Sequence, residues 1–142
     1  ARNNLGRYEE AIPYFEKAIS LQPFKADYYF ALGNSYRHLK LFDNALHHFR
    51  KTLEIDPKHY KAHNNMGTIF WILGATDQAR VAFENVLSIK PYIPAIHNNL
   101  AAIHIKKGDY KKAISHLEKL ISLQPENINA QKLLQLSLGK IR

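Results

Sequence analysis

Apolar and small residues recur along the chain at steps of three and four, and the whole pattern returns every 34 residues. Leu32, Met66 and Leu100 stand in phase, as do Gly33, Gly67 and Ala101, and Tyr36, Phe70 and His104; Tyr29, His63 and His97 precede the first set by three positions. Such offsets keep residues on one side of a helix, so each run predicts a helix with a single packed face. A second set predicts a second helix whose buried stripe mixes small and large side chains: Ala11, Ala45, Ala79 and Ala113, then Phe15, Phe49, Phe83 and Leu117, then Ala18, Thr52, Val86 and Leu120. Gly6, Gly74 and Gly108, with Lys40 in one copy, stand where a residue at positive φ ends the first helix. Pro23, Pro57, Pro91 and Pro125 each close a short phrase such as Leu21-Gln22-Pro23 or Ile55-Asp56-Pro57. They end the second helix, because the residue before a proline is steered away from helical geometry.

A fixed period of this length means one supersecondary unit copied and stacked. The columns resemble the tetratricopeptide repeat, whose unit has this period and a pattern of W-x2-L-G-x2-Y, A-x3-F and P. The resemblance covers essentially the whole chain. It implies an all-α, right-handed superhelical solenoid of antiparallel helix-turn-helix repeats. Three complete units are expected at 26–59, 60–93 and 94–127. Residues 1–25 are expected to supply the last turn of a first helix and a second helix, and 128–142 a first helix without its mate. No unit keeps the tryptophan of the first column, and Leu117 replaces the usual aromatic; both are read as size-tolerant packing positions. Pro13 falls inside the first of the second helices, where a missing backbone bond costs up to about 3 kcal/mol.

The terminal stretch predicts Leu134 and Leu138 facing the preceding unit, with Leu133 and Leu136 on the side away from it. Each exposed leucine forgoes about 1.5–3 kcal/mol of burial. A fragment of a longer repeat protein, or a partner or second copy covering 128–142, is therefore expected.

Composition narrows the function classes. The chain has 142 residues, no cysteine and a net charge of +8. Disulfides, thiolate chemistry and Cys-based zinc sites are excluded. Excess positive charge favours acidic partners through long-range attraction. No apolar stretch approaches the roughly 20 residues of a membrane-spanning helix, so no membrane insertion is expected. Compartment stays undecided, with a cytoplasmic setting compatible with the cysteine-free composition.

In the family the first helices line the concave surface, where extended peptides lie. A rotation of about 100° per residue puts Asp27, Ala31, Asn34 and His38 on that face in one unit, flanked by Phe30 and Arg37. The next unit offers Lys61, Asn65, Thr68 and Ile72, flanked by Asn64 and Trp71. The third offers Ala95, Asn99, Ala102 and Lys106, flanked by Asn98 and Ile105. The repeated tripeptides His63-Asn64-Asn65 and His97-Asn98-Asn99 stack carboxamides on successive helices, and a carboxamide can pair with a peptide backbone without reading its side chains. The only tryptophan lies on this face together with Phe30, Ile72 and Ile105, and tryptophan is a favoured interface anchor. Arg37, Lys61 and Lys106 outnumber Asp27, so an acidic or mixed-charge protein or peptide is the expected partner. Some family members grip a C-terminal carboxylate with lysines and asparagines. Asn34 and Asn65 match the asparagines of that clamp, but Phe30, Ala95 and Asn99 stand where its cations would be.

Other constellations carry less. His63, His97 and His104 belong to packing columns, and the adjacent His47 and His48 point about 100° apart on a helix, so no metal is expected. No nucleophile, phosphate loop or paired catalytic carboxylate emerges, and neither catalysis nor a cofactor is expected; an enzyme carrying this segment as a targeting array would hold its chemistry elsewhere. Lys106, Lys107, Lys111, Lys112 and Lys119 form a basic group around Gly108, but no aromatic platform is interleaved with it for stacking bases. Nucleic acid is thus the less favoured partner. An interaction module with an extended peptide in its groove is the leading expectation, and self-assembly through the terminal helices the alternative.

Overall fold

The computed structural model describes residues 5–142, and among them eight helices and no strand. They are α1 (Leu5–Leu21), α2 (Ala26–His38), α3 (Phe42–Ile55), α4 (Tyr60–Ile72), α5 (Thr76–Ile89), α6 (Pro94–Lys106), α7 (Tyr110–Leu123) and α8 (Ile128–Lys140). Packing is closest within the pairs α2/α3, α4/α5 and α6/α7, with α1 against α2 and α8 against α7. The last helical turn expected ahead of α1 falls on residues 1–4, outside the described residues.

Within each pair the turn is made the same way. Lys40, Gly74 and Gly108 take φ of 62°, 78° and 78°. The next residue's N–H then reaches back across the helix end, Leu41 to Tyr36 O, Ala75 to Phe70 O and Asp109 to His104 O. That 6→1 bond satisfies an orphan carbonyl and needs a left-handed residue just before it, the position glycine fills at least cost. Gly6 departs from expectation: it is the second residue of α1 and is not at positive φ, because the chain is already helical there.

Helix starts are secured locally. His59 Nδ1 accepts from Ala62 N–H at 3.2 Å, Asp109 Oδ1 from Lys112 N–H at 3.3 Å, and Asn127 Oδ1 from Ala130 N–H at 2.9 Å, each relieving an orphan donor. Pro94 opens α6, where its missing N–H costs nothing.

The first column does more than pack. Tyr29 Oη donates to Pro23 O at 2.9 Å, His63 Nε2 bonds Pro57 O at 3.2 Å, His97 Nε2 bonds Pro91 O at 2.9 Å, and Gln131 Nε2 donates to Pro125 O at 2.6 Å. Each helix entry is thereby tied to the proline carbonyl of the loop before it. A hydrogen-bond donor, not only bulk, is what the position needs.

The core is a set of interlocked pairs. Phe49 and Phe83 are buried against the backbone of Gly33 and Gly67 so closely that a Cβ on either glycine would meet a ring carbon at 2.7 Å. In the third unit Ala101 lies with Leu117 and Leu120 in one buried cluster. The larger small residue is thus matched by a smaller large one. Leu133 corrects its expectation: with Leu134 it packs on that cluster, since α8 leans on α7 through a face wide enough for both. Leu136 stays 56% exposed, beside Ile128 at 62% and Ile141 at 46%.

Candidate interaction surface

On the first helices, the residues opposite the packed stripe include a bonded pair of asparagines and the residues around a cleft beside Trp71. Asn34 and Asn65 are half-buried and bonded to each other across α2 and α4, Asn65 Nδ2 donating to Asn34 Oδ1 at 2.7 Å. The bond uses one donor of Asn65 and leaves the carboxamide oxygen and the second N–H for other partners. Thr68 Oγ1 donates to Asn64 O, its own helix's carbonyl four residues back. Lys61 and Ile72 are exposed, and Asn64 and Ile105 are half-buried.

Between α4 and α6 lies a cleft of about 300 Å³ lined by Thr68, Trp71, Phe83, Asn98, Asn99 and Ala102. Trp71 is 39% exposed, and Lys106 Nζ stands over its ring at 5.1 Å from the centroid. A cation held over an indole face is attracted to the ring quadrupole and marks one side of the cleft as positive. Phe83 was legible only as a core residue. Its ring spans from Gly67 to the cleft, a reach that depends on the missing side chain at Gly67.

The other end of this face is more closed than the helical rotation predicts. Phe30 is half-buried against the core, its ring 5.7 Å from Phe49 and 4.5 Å from His59. The expectation of an exposed aromatic there is corrected, because His59, the residue that caps α4, lies against it. His38 stacks on Tyr8 of α1 at 4.2 Å and 8°, and burial, followed by the nearby Arg37 charge, lowers its pKa. Arg37 Nε is buried without a hydrogen-bond partner. Asp27, the lone acid of this face, lies 3.7 Å from His59 Nε2.

The basic group is partly spent on internal contacts. Lys107 bonds Asp77, Lys112 lies 3.7 Å from Asp109, and Lys106 covers Trp71. Lys107, first by its hydrogen bond and then by its charge, lowers the Asp77 pKa. Among the described residues no group of three or more His, Cys, Asp or Glu is placed to hold a metal ion, and no helix is long and apolar enough to cross a membrane.

Two tetratricopeptide repeat family models match this arrangement, one over residues 4–60 and 41–92 and the other over 70–136. The chain belongs to the tetratricopeptide repeat family. Tetratricopeptide arrays are typically non-catalytic scaffolds, and this array is a protein-interaction scaffold in the general sense of the family. No curated protein matches it in sequence. Among solved structures it is similar to a crystal structure of MamA, with a TM-score of 0.83 and 22% identity over 93% of this chain and 77% of that one. A second MamA structure gives 0.84 and 21% over 95% and 74%. MamA from Desulfovibrio magneticus RS-1 gives 0.81 and 21% over 93% and 75%. At that identity the likeness speaks for the fold, a right-handed solenoid of antiparallel helix pairs, and the tetratricopeptide surface of this chain must be read from its own residues.

Proposed function

We propose that the array holds an extended, acidic or mixed-charge peptide along the first helices, with the cleft at Trp71 as its principal anchor point. The supporting observation is the convergence in one place of an apolar floor, Phe83 and Trp71, two carboxamides, Asn98 and Asn99, and a cation, Lys106. An apolar side chain fills the cleft, the carboxamides pair with the peptide backbone on either side of it, and Lys106 meets a neighbouring carboxylate. Arg37 and Lys61 extend the positive charge toward α2, with Asn34, Asn65, Thr68 and Ile72 between them and Ile105 beyond.

Selection of binding sequences from a random peptide library tests this. Peptides recovered with the native array should be rich in Asp and Glu beside an aromatic or aliphatic residue. Trp71→Ala is expected to weaken them about tenfold or more, as for a buried aromatic anchor, with the helical circular dichroism unchanged. Asn98→Ala with Asn99→Ala should act in the same direction. Undiminished affinity in both variants would rule the cleft out as the anchor.

A second reading rests on Ile128 and Leu136 of α8 and on Ile141 just past its end, all exposed apolar side chains: residues 128–142 join one copy of the array to another. Sedimentation equilibrium then shows concentration-dependent mass, abolished by Leu136→Gln. A monomer across the accessible concentration range rejects self-association.

A further inference from the structure

The three helix pairs treat one position of the repeat differently, and the difference coincides with an open hollow on the middle pair. Residues 48, 82 and 116 share a column on the second helix, and are His, Ala and His. In α2/α3 the His48 ring lies with Tyr29 at 6.5 Å and stacks on Tyr36 at 5.4 Å and 5°. In α6/α7 the His116 ring lies 5.4 Å from His97 and stacks on His104 at 5.6 Å and 6°. In α4/α5 the flanking rings are present as His63 and Phe70, but Ala82 sends nothing between them. A cavity of about 370 Å³ opens there, lined by Leu53, His63, Met66, Phe70, Val81 and Ala82 among others. It shares no lining residue with the Trp71 cleft.

Hydrogen-bond chemistry says which ring fits. A carbonyl oxygen only accepts, so His97 Nε2 carries the proton it gives to Pro91 O, and its neutral ring offers Nδ1 as an acceptor. The contact of His97 Nδ1 with His116 Nδ1 at 3.1 Å is therefore donated by His116. His63 makes the same bond from Nε2 to Pro57 O, so its Nδ1 is the acceptor nitrogen of the ring, and Ala82 lines the same hollow. In α2/α3 a tyrosine replaces that acceptor, and His48 Nδ1 is correspondingly buried without a partner. The one charge among the lining residues, the Asp77 carboxylate, is already bonded to Lys107, so the acceptor left for a guest is His63 Nδ1.

We propose that this slot is a second binding site, which receives a neutral histidine side chain presented by a partner protein. The guest imidazole stacks on Phe70 and donates its N–H to His63 Nδ1, completing in trans the arrangement that His116 completes in cis. An aromatic ring without a donor gains only the stacking, and an aliphatic side chain gains neither.

The test uses N-acetyl-histidinamide as the probe at pH 8, titrated into the isotopically labelled chain while amide NMR shifts are followed. Saturable millimolar binding is expected, centred on Met66, Phe70, Val81 and Ala82. N-acetyl-phenylalaninamide should bind about fivefold more weakly, the worth of one ordinary hydrogen bond, and His63→Phe should reduce the histidine probe to that level. Ala82→His fills the slot from within and should abolish the shifts; should it not fold, Ala82→Leu occupies the same space. Trp71→Ala should leave them untouched. Shifts that never saturate, that survive filling of the slot, or that are as large with the phenylalanine or leucine analogue would overturn the proposal.

Discussion

Gly67→Ala and Gly139→Ala, the same substitution in two helices, should move stability in opposite directions. At Gly67 the new Cβ meets three ring carbons of Phe83 at 2.7, 2.8 and 2.9 Å, while at Gly139 nothing lies within 4 Å. Overpacking of a closed core costs about 1–3 kcal/mol. Alanine's helix preference over glycine returns up to about 1 kcal/mol at both sites. The expected outcome is a net loss of about 1–2 kcal/mol at Gly67 and a gain below about 1 kcal/mol at Gly139, read from urea midpoints at unchanged m-value. The clash also has a built-in remedy, because the third unit pairs Ala101 with Leu117. Phe83→Leu alone should cost roughly 1–2 kcal/mol through the gap it opens. Combined with Gly67→Ala it should cost less than the two single losses together, with a favourable coupling of about 1–2 kcal/mol. Strict additivity would show that the ring and the glycine are not the interlocking pair.

Acid should begin to weaken this array above the pH range in which its carboxylates titrate. Burial is the main cause that brings His48 and His116 to a pKa of about 4, with His47 adding to it for the first and His97 and His104 for the second. His38 and His104 are lowered as well, again chiefly by burial. The unfolded chain, with ordinary histidines near 6.5, binds more protons than the folded one between that value and about 4. Stability contributed by the neutral rings is therefore full above the unfolded pKa and is lost as pH falls through the window toward the folded one. Partial exposure of both rings reduces the shift's energetic weight by about half. A combined loss of about 2–4 kcal/mol between pH 7 and pH 4 is expected from His48 and His116. His48→Gln and His116→Gln should each remove a large part of the pH dependence, whatever they do to stability at pH 7. A wild-type urea midpoint that stays level from pH 7 to pH 4.5, with the variants parallel to it, would sink this account.

Both expectations concern positions whose residue types were plain in the columns and whose meaning was not. The small residues at 33, 67 and 101 and the large ones at 49, 83 and 117 belong to two different helices. Periodicity places each on a buried stripe but does not say which interdigitates with which. His47 and His48 invite a test for chelation, which their angular separation answers. The informative comparison was His48 with Ala82 and His116, and it acquires meaning only when the partner rings on the first helix are brought alongside.

The candidate groove divides in the same manner. Helical rotation placed Asn65, Thr68, Trp71, Asn99 and Lys106 on one face, and five of the six lining residues of the cleft were among the positions named for that face. Rotation about a single axis knows nothing of the neighbouring helix, however. It could not reveal that His59 lies against Phe30, that Asn34 and Asn65 bond each other, or that Phe83 reaches the cleft from the second helix.

The order of helices, the turn at each Gly74-like position, the proline stops and the stacking of units are local or strictly periodic properties. Hydrogen-bond geometry and side-chain period act over a few residues and repeat 34 positions later, so the chain alone carries them. The depth of the cleft, the cation over Trp71 and the vacancy beside Ala82 arise between helices. Each depends on distances of a few ångströms between residues far apart in the chain, and such distances exist only once the helices have packed.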